Sequence, residues 1–293
     1  MFFVENNGVR LHCASMGSGP TLVLCHGLVF GSMASWYFSI ATKLAQHYRV
    51  ILFDLRGHGK SDMTATGYDL ATMAGDLDAV INHAVPFSES VTLIGHSFGA
   101  LLALRYALNA PRKVNRLVLV DAPLPASRYI LPSIADITSL EMLLEQLPIP
   151  RSQVINGARR ANRMRERLQR LLLHSSLRAD VAATGDIADI ELRRLGIPVL
   201  CVYGRSSDCT AAGERLVMQL PLAQLHWLNC GHYILEEAPQ ELLRVLTSFL
   251  EPDGREDIAA IATSFFAEPL LREHLLGEHL VDEPLLEYGN GYQ

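Results

Sequence analysis

The segment Gly95–Gly99 carries the residues best suited to nucleophilic chemistry. Its sequence, GHSFG, fits the pattern G-x-S-x-G. The apolar run Val91–Ile94 precedes it and the helix-forming stretch Ala100–Leu108 follows it, which is the strand–turn–helix setting that the motif requires. Such a turn lifts the hydroxyl of Ser97 clear of a sheet and places the amide of Phe98 at a helix N-terminus, where an oxyanion is stabilised. The motif predicts a nucleophile at Ser97; the alternative is a serine that only caps the helix.

Short apolar runs alternate with helical stretches over much of the chain. Residues 2–15 are predicted to form a hairpin around Asn6-Asn7-Gly8. Several later runs are rich in Val, Ile and Leu without alternation, as expected of parallel strands buried on both faces. The pattern predicts an α/β fold with a mostly parallel sheet. The predicted strands are Thr21–Cys25, Val50–Phe53, Val91–Ile94, Leu117–Val120, Val199–Val202 and Gln224–Leu228, and the predicted helices are Ser35–His47, Leu70–His83, Phe98–Asn109, Ala211–Leu220 and Gln240–Leu250.

The alternation of strands and helices is interrupted twice. Strand-like runs disappear between about Pro123 and Leu195, which indicates a helical insertion. The final segment, residues 251–293, contains ten Asp and Glu residues and two Arg residues, and it has no strand pattern. We therefore expect a core domain formed by residues 1–123 and 196–250, an insertion at 124–195, and an acidic C-terminal extension at 251–293.

Besides the serine motif, two segments resemble the α/β-hydrolase family, and the resemblance covers about residues 1–125 and 195–250. Cys25-His26-Gly27-Leu28 ends a predicted strand and looks like the His-Gly loop of that family. The resemblance implies an eight-stranded sheet with a helical cap over the active site. It also implies that the amide of Leu28 joins that of Phe98 as an oxyanion donor, and that His26 holds the loop structurally.

The second segment, Phe53–Ser61, resembles the D-x-R-G-x-G-x-S turn of the same family. The likeness implies an architectural role, with glycines for tight turning and with Asp54 and Arg56 as a partly buried pair. His58 is accordingly interpreted as structural and not as catalytic.

A serine hydroxyl needs a neighbouring base, and the base needs an orienting carboxylate. Since the chain has 11 histidines, composition does not choose among them. The family resemblance implies His232, in the loop Asn229–Tyr233 after the last predicted strand. For the acid, the resemblance favours Asp208, because a predicted strand (Val199–Val202), a glycine and then an aspartate a few residues on look like the acid loop of the family. Asp121, at the end of the preceding strand, is the competitor, because some relatives place their acid there.

Length and composition restrict the class of protein further. The chain has 293 residues, of which 49% are hydrophobic and 19% are charged, and this composition excludes global disorder. A net charge of -6 argues against nucleic-acid binding. Five cysteines without close pairing, no signal-like N-terminus and no bilayer-spanning apolar run predict a cytoplasmic protein without a membrane span. No metal-ligand spacing or phosphate loop is evident, so neither a metal nor a cofactor is expected.

The predicted cap carries an unusual charge block. Residues 151–178 hold eight arginines and a single acid, Glu166. Three interpretations stay open: a solvated helix face, a guide for an anionic or carrier-linked substrate, or a surface against which the acidic extension lies.

These features predict a serine hydrolase that cleaves a carboxylic ester or thioester through an acyl-enzyme on Ser97, with a small-molecule acyl substrate. Serine at this position disfavours the dehalogenases and epoxide hydrolases of the family, which use an aspartate nucleophile. Two alternatives remain: a C–C bond hydrolase or cofactor-free lyase on the same scaffold, and a receptor-like ligand-binding protein that retains the triad. The sequence leaves the acyl group and the oligomeric state open.

Overall fold

The computed structural model describes most of the chain up to residue 251. The described residues are 1–86, 89–125, Arg128, Ser139, Met142 and 158–251, with side chains from residue 162 onward in the last range. They belong to one unit, Met1–Glu251.

A single sheet of eight strands forms the centre of this unit. The strands are β1 (Phe2–Asn6), β2 (Val9–Met16), β3 (Thr21–Cys25), β4 (Arg49–Phe53), β5 (Val91–His96), β6 (Val114–Val120), β7 (Val199–Gly204) and β8 (Ala223–Leu228). Their order is β1-β2-β4-β3-β5-β6-β7-β8. Strand β2 runs antiparallel to β1 and β4, and all other neighbours are parallel. The predicted fold class is confirmed.

The described helices lie between and after these strands. They are α1 (Met33–Trp36), α2 (Thr42–Leu44), α3 (Leu70–Ala84), α4 (Phe98–Asn109), α5 (Ala158–Leu173), α6 (Leu177–Ala183), α7 (Asp189–Leu192), α8 (Thr210–Gln219), α9 (Ile234–Glu237) and α10 (Pro239–Leu250). The predicted continuous helix Ser35–His47 is wrong in detail, because a π-helical turn at Tyr37–Ala41 separates α1 from α2. The segment contains no Gly or Pro that would signal this change of hydrogen bonding.

The central parallel strands β3 and β5 are buried along their whole length, as expected of largely apolar strands without alternation. Helix α4 follows β5 directly and packs back onto β5 and β6. Because parallel strands point the same way, the loops after β3, β5, β6, β7 and β8 all emerge at one edge of the sheet. Side chains from distant parts of the sequence can therefore meet there.

The turn after β4 is built around the buried carboxylate of Asp54. One carboxylate oxygen accepts a hydrogen bond from the amide of Met33 at 2.8 Å. The other accepts from the amide of Lys60 at 2.9 Å and from Nδ1 of His12 at 2.9 Å. The carboxylate thus ties this turn to β2 and to the start of α1.

The other charged residue of this turn, Arg56, pairs elsewhere. Its guanidinium donates to both carboxylate oxygens of Asp76 on α3, at 2.6 and 2.7 Å. The predicted pairing of Asp54 with Arg56 is wrong, because donors from the turn, β2 and α1 already satisfy Asp54. Both members of the observed pair are almost fully buried.

Two buried histidines hold the loop between β3 and α1. His26 donates from Nδ1 to the carbonyl of Gly27 at 2.7 Å and accepts from the amide of Leu55 at Nε2. His58 accepts from the amide of Val29 at 3.0 Å and donates from Nδ1 to the carbonyl of Arg56. Burial, with a smaller contribution from His26, lowers the pKa of His58 to about 3, so the ring is neutral. These contacts agree with the structural roles predicted for both residues.

The predicted insertion and extension are described only in part. Helices α5, α6 and α7 lie between β6 and β7, within the predicted insertion 124–195. Residues 126–157 lie outside the described residues except at three positions, and residues 252–293 lie outside them entirely. The cap and the acidic extension therefore stay predictions. No helix in the described ranges is both long enough and apolar enough to cross a bilayer.

The buried pair of Arg56 and Asp76 yields a stability prediction. Replacing Asp76 by Asn leaves a buried guanidinium without its counter-charge, which should lower the free energy of unfolding by about 3 kcal/mol or more. The exposed pair of Arg10 and Asp62 is the control, since Asp62→Asn should cost about 1 kcal/mol or less. Urea unfolding of both variants measures the difference, and equal losses would contradict the prediction.

Candidate active site

Ser97 sits on a sharp turn between β5 and α4. Its backbone has φ 55° and ψ -128°, a strained conformation for a residue with a side chain. The flanking glycines are required by close approach: a Cβ atom at Gly95 would lie 2.3 Å from the carbonyl oxygen of Gly99, and one at Gly99 would lie 2.4 Å from that of Cys25. The strand, turn and helix are those that the serine motif predicts.

The imidazole of His232 lies against the hydroxyl of Ser97. The distance between His232 Nε2 and Ser97 Oγ is 2.9 Å. His232 stands in the loop between β8 and α9, so the two residues are 135 positions apart in the chain. The structure therefore brings together the two residues that the sequence selected as nucleophile and base.

The carboxylate beside His232 belongs to Asp121 and not to Asp208. Asp121 Oδ2 accepts a hydrogen bond from His232 Nδ1 at 2.6 Å. Asp208 is exposed to solvent, and the predicted contact between Asp208 and the imidazole is wrong. The hydrogen bond to Asp121 leaves the proton on Nδ1, so that Nε2 is free to accept the proton of Ser97.

The loop after β7 contributes hydrogen-bond donors to Asp121 instead of supplying the acid itself. The amide of Gly204 donates to Asp121 Oδ1 at 3.0 Å, and the hydroxyl of Ser207 donates to Oδ2 at 2.5 Å. Asp121 is fully buried and has a positive φ of 51°, which turns its side chain at the end of β6. Asp208 is predicted to be the acid, but the segment that carries it supplies donors to the carboxylate of Asp121.

Three hydrogen bonds hold the backbone at and next to His232. His96 donates from Nε2 to the carbonyl oxygen of His232 at 2.9 Å. Glu237 accepts from the amide of Gly231 at 2.7 Å and from the amide of Tyr233 at 3.2 Å. Burial, followed by the nearby His232, lowers the pKa of His96 to about 4, so His96 is neutral near neutral pH. Sequence reasoning missed His96 and Glu237 as supports for the histidine loop.

The predicted oxyanion donors flank the serine. A Cβ atom at Gly27 would lie 3.1 Å from Ser97 Cβ, which shows how closely the loop after β3 approaches the nucleophile. Leu28 is the next residue of this loop, and Phe98 begins α4 directly after the serine. A cavity of about 80 Å³ lies at this point, bordered by Leu28, Phe30, Ser97, His232 and Tyr233.

One group of potential metal ligands coincides with this site. Single ligand atoms of Asp121, Cys209 and His232 lie within 4.8 Å of one another. Burial raises the pKa of the Cys209 thiol far above its usual value, so that it stays protonated and is a poor metal ligand. The other two residues already bond each other, and the arrangement is better suited to proton transfer than to holding an ion.

Comparison with known proteins places the chain in a family. A family model described as alpha/beta hydrolase fold matches residues 20–190, which is more than half of the chain. The chain therefore belongs to the alpha/beta hydrolase family.

Individual relatives cover different shares of the chain. It is 30% identical over 254 residues to a pimeloyl-[acyl-carrier protein] methyl ester esterase of Nitrosomonas europaea, covering 80% of this chain and 96% of the relative. It is 27% identical over 263 residues to a 2-hydroxy-6-oxononadienedioate/2-hydroxy-6-oxononatrienedioate hydrolase of Cupriavidus pinatubonensis, covering 82% and 90%. An uncharacterized protein of Mycobacterium tuberculosis is 37% identical over 116 residues, and the chain spans only a third of its length.

A solved structure also resembles the chain. The protein Est816, described as an N-acyl homoserine lactone degrading enzyme, has 26% sequence identity and a TM-score of 0.67. The similarity covers 85% of this chain and 100% of that protein. Two of these relatives are named as an esterase and a hydrolase, and Est816 is described as degrading a lactone, which supports a hydrolase.

The position of the carboxylate can be tested without knowing the substrate. Asp121→Asn should slow the reaction of Ser97 with a fluorophosphonate by about a thousandfold or more, because the wrong imidazole tautomer is then favoured. Asp208→Asn should change this rate by less than about twofold, since Asp208 is exposed and away from the ring. The rate of covalent labelling, followed by mass spectrometry, measures both, and a slower Asp208 variant would contradict the assignment.

The two hydrogen bonds that Glu237 accepts give a second prediction. Glu237→Ala frees the amides on either side of His232, and the labelling rate should fall about tenfold because the ring loses its position. Glu237→Gln keeps one of the two accepting oxygens and should recover part of this loss. The exposed Glu241 on α10 provides the control, since Glu241→Ala should leave the rate unchanged; equal rates for both alanine variants would overturn the role of Glu237.

Proposed function

We propose that this protein is a serine hydrolase that transfers an acyl group from a carboxylic ester or thioester to Ser97 and then to water. One observation carries the proposal. Ser97 Oγ, which borders a cavity, is hydrogen-bonded to His232, and His232 is hydrogen-bonded to the buried Asp121. This arrangement supplies a nucleophile, a base and an orienting carboxylate in contact.

In the first half-reaction, Ser97 Oγ bonds to the acyl carbon while its proton passes to His232 Nε2. The ring becomes positively charged and is stabilised by the carboxylate of Asp121, which accepts a hydrogen bond from Nδ1–H throughout while the proton stays on the ring. The carbonyl oxygen becomes an oxyanion facing the amides of Leu28 and Phe98. When the intermediate collapses, the C–O or C–S bond breaks, and His232 returns the proton to the departing alkoxide or thiolate.

In the second half-reaction, water takes the place of the departed alcohol or thiol. His232 Nε2 accepts a proton from this water as its oxygen bonds to the acyl carbon. The bond to Ser97 Oγ then breaks, and the serine recovers the proton from the imidazolium. The products are a carboxylic acid and free enzyme, and atoms and charges balance with water as the only co-reactant.

Two of the proteins that resemble this chain support an ester as the substrate. The relative from Nitrosomonas europaea, 30% identical along most of its length, is named as a methyl ester esterase. Est816 is described as degrading a lactone, which is a cyclic ester. Both names support an acyl carbon as the centre that Ser97 attacks.

A C–C bond hydrolase is the second candidate. It is favoured by the likeness to the 2-hydroxy-6-oxononadienedioate hydrolase of Cupriavidus pinatubonensis along 82% of this chain. A dienolic diketone distinguishes the two candidates, since a C–C bond hydrolase would cleave it and leave acyl esters intact.

The proposal predicts hydrolysis that depends on Ser97. In a panel of p-nitrophenyl esters and acyl thioesters of different chain length, Ser97→Ala should lower kcat/KM at least about a thousandfold for every substrate that the protein cleaves. The exposed Ser15 gives the matched control, and Ser15→Ala should stay within about twofold of the unaltered protein. Turnover of esters that survives in Ser97→Ala, or turnover of the diketone alone, would refute ester hydrolysis at this serine.

A further inference from the structure

A second, larger cavity lies beside the catalytic one. It has a volume of about 690 Å³ and is formed by the loop Val29–Ser32, the turn Gly57–Lys60 and one side of α5. Phe30 and Gly31 border both cavities. A molecule bound at Ser97 therefore has the larger cavity directly next to it.

Positive charge dominates the described lining of this cavity. Helix α5 contributes Arg163, Arg167 and Arg170, and the turn contributes Lys60. The arginines are spaced at i, i+4 and i+7, which places them on one face of the helix. Glu166 is the acid among the described lining residues, so four cationic groups face one carboxylate.

The middle arginine, Arg167, fixes this face of the helix to the turn after β4. Arg167 donates from Nε to the carbonyl of Gly57 and from Nη2 to the carbonyl of Ser61, both at 3.0 Å. It is partly buried, and desolvation lowers its pKa from the usual value. A guanidinium in a protein nevertheless stays charged near neutral pH. Its contacts hold Arg163 and Arg170, one turn to either side, at the edge of the cavity.

Arg163 and Arg170 remain exposed, and within the described part of the chain neither one forms an ion pair with an acid. Like charges at this spacing repel one another, so the cluster carries an electrostatic cost. This positive charge is a local feature of the cavity, since the chain as a whole has a net charge of -6. An anion in the cavity would offset the repulsion and would gain charge-assisted hydrogen bonds.

We infer that this cavity is a subsite for an anionic group of the substrate, a carboxylate or a phosphate remote from the bond that is cleaved, with Arg163, Arg170 and Lys60 as its ligands. The inference rests on the proposed function and narrows it to anionic esters or thioesters. The acyl carbon lies at Ser97, the chain passes Phe30 and Gly31, and the charged group reaches the face of α5. Arg167 acts as the anchor of this face.

Matched pairs of substrates test the inference. The p-nitrophenyl monoester of a dicarboxylic acid is compared with the p-nitrophenyl ester of a neutral acid of equal chain length, and an acyl-coenzyme A with the same acyl N-acetylcysteamine thioester. The first pair reports a carboxylate on the acyl side and the second a phosphate on the leaving group. We expect kcat/KM to favour the anionic member of at least one pair about tenfold, and high salt to shrink this preference.

Charge-removing variants separate local contacts from general attraction. The double variant Arg163→Gln/Arg170→Gln should reduce the preference at least about fivefold. The control Arg165→Gln/Arg194→Gln removes the same charge from two exposed residues that do not border the cavity, and should leave the preference intact. Equal preferences in both double variants, or none in the unaltered protein, would overturn the inference while Ser97-dependent hydrolysis of neutral esters still stood.

Binding provides a readout that does not need turnover. Inorganic pyrophosphate and glutarate are titrated calorimetrically into the Ser97→Ala protein with and without the arginine substitutions. Binding weakened at least about fivefold by Arg163→Gln/Arg170→Gln, and unchanged by the control pair, would support the subsite even if the proposed reaction failed. Absence of binding for both anions, together with no preference between the paired substrates, would refute it.

Discussion

The hydrogen-bonding of one buried carboxylate determines how the site is assembled. Asp121 is inaccessible to solvent, and an ionised carboxylate in such a place is stable only when donors surround it. The donors are the amide of Gly204, the hydroxyl of Ser207 and Nδ1 of His232. Each comes from the end of a strand or from the loop after it, at the same edge of the sheet. Satisfying this charge therefore fixes the loops after β6, β7 and β8 against one another.

The same requirement prepares His232 for reaction with Ser97. A ring that donates from Nδ1 to Asp121 presents an unprotonated Nε2 to the serine. The backbone of the histidine has its own supports in His96 and Glu237, so both the ring and the chain that carries it are positioned. Preorganisation of this kind reduces the rearrangement needed when charge develops in the reaction.

Much of this arrangement could be predicted from the sequence because local signals were strong. The GHSFG turn has flanking glycines that the close packing of α4 against β3 demands, and its strand and helix are visible as patterns. The acid could not be chosen in this way. Asp121 and Asp208 both follow strands, and only the three-dimensional register of β6 beside β7 shows which one faces His232. The partner of Arg56 was missed for the same reason, since Asp76 lies on α3, 20 residues away.

The structure also gives the arginine block a location. The sequence alone leaves three interpretations of this block open: a solvated face, a substrate guide or a surface for the acidic extension. On α5, Arg163 and Arg170 border a cavity that adjoins the catalytic one, held there by Arg167. The arginines and the pair of Ser97 and His232 therefore border neighbouring cavities, and both cavities are lined by Phe30 and Gly31 of the loop after β3.

A crystal structure of the protein after reaction with a fluorophosphonate tests the central claim most directly. The expected result is phosphorus bonded to Ser97 Oγ, a phosphonyl oxygen within hydrogen-bond distance of the amides of Leu28 and Phe98, and His232 still bonded to Asp121. Phosphorus on another side chain, or His232 turned away from Asp121 toward a different carboxylate, would contradict it.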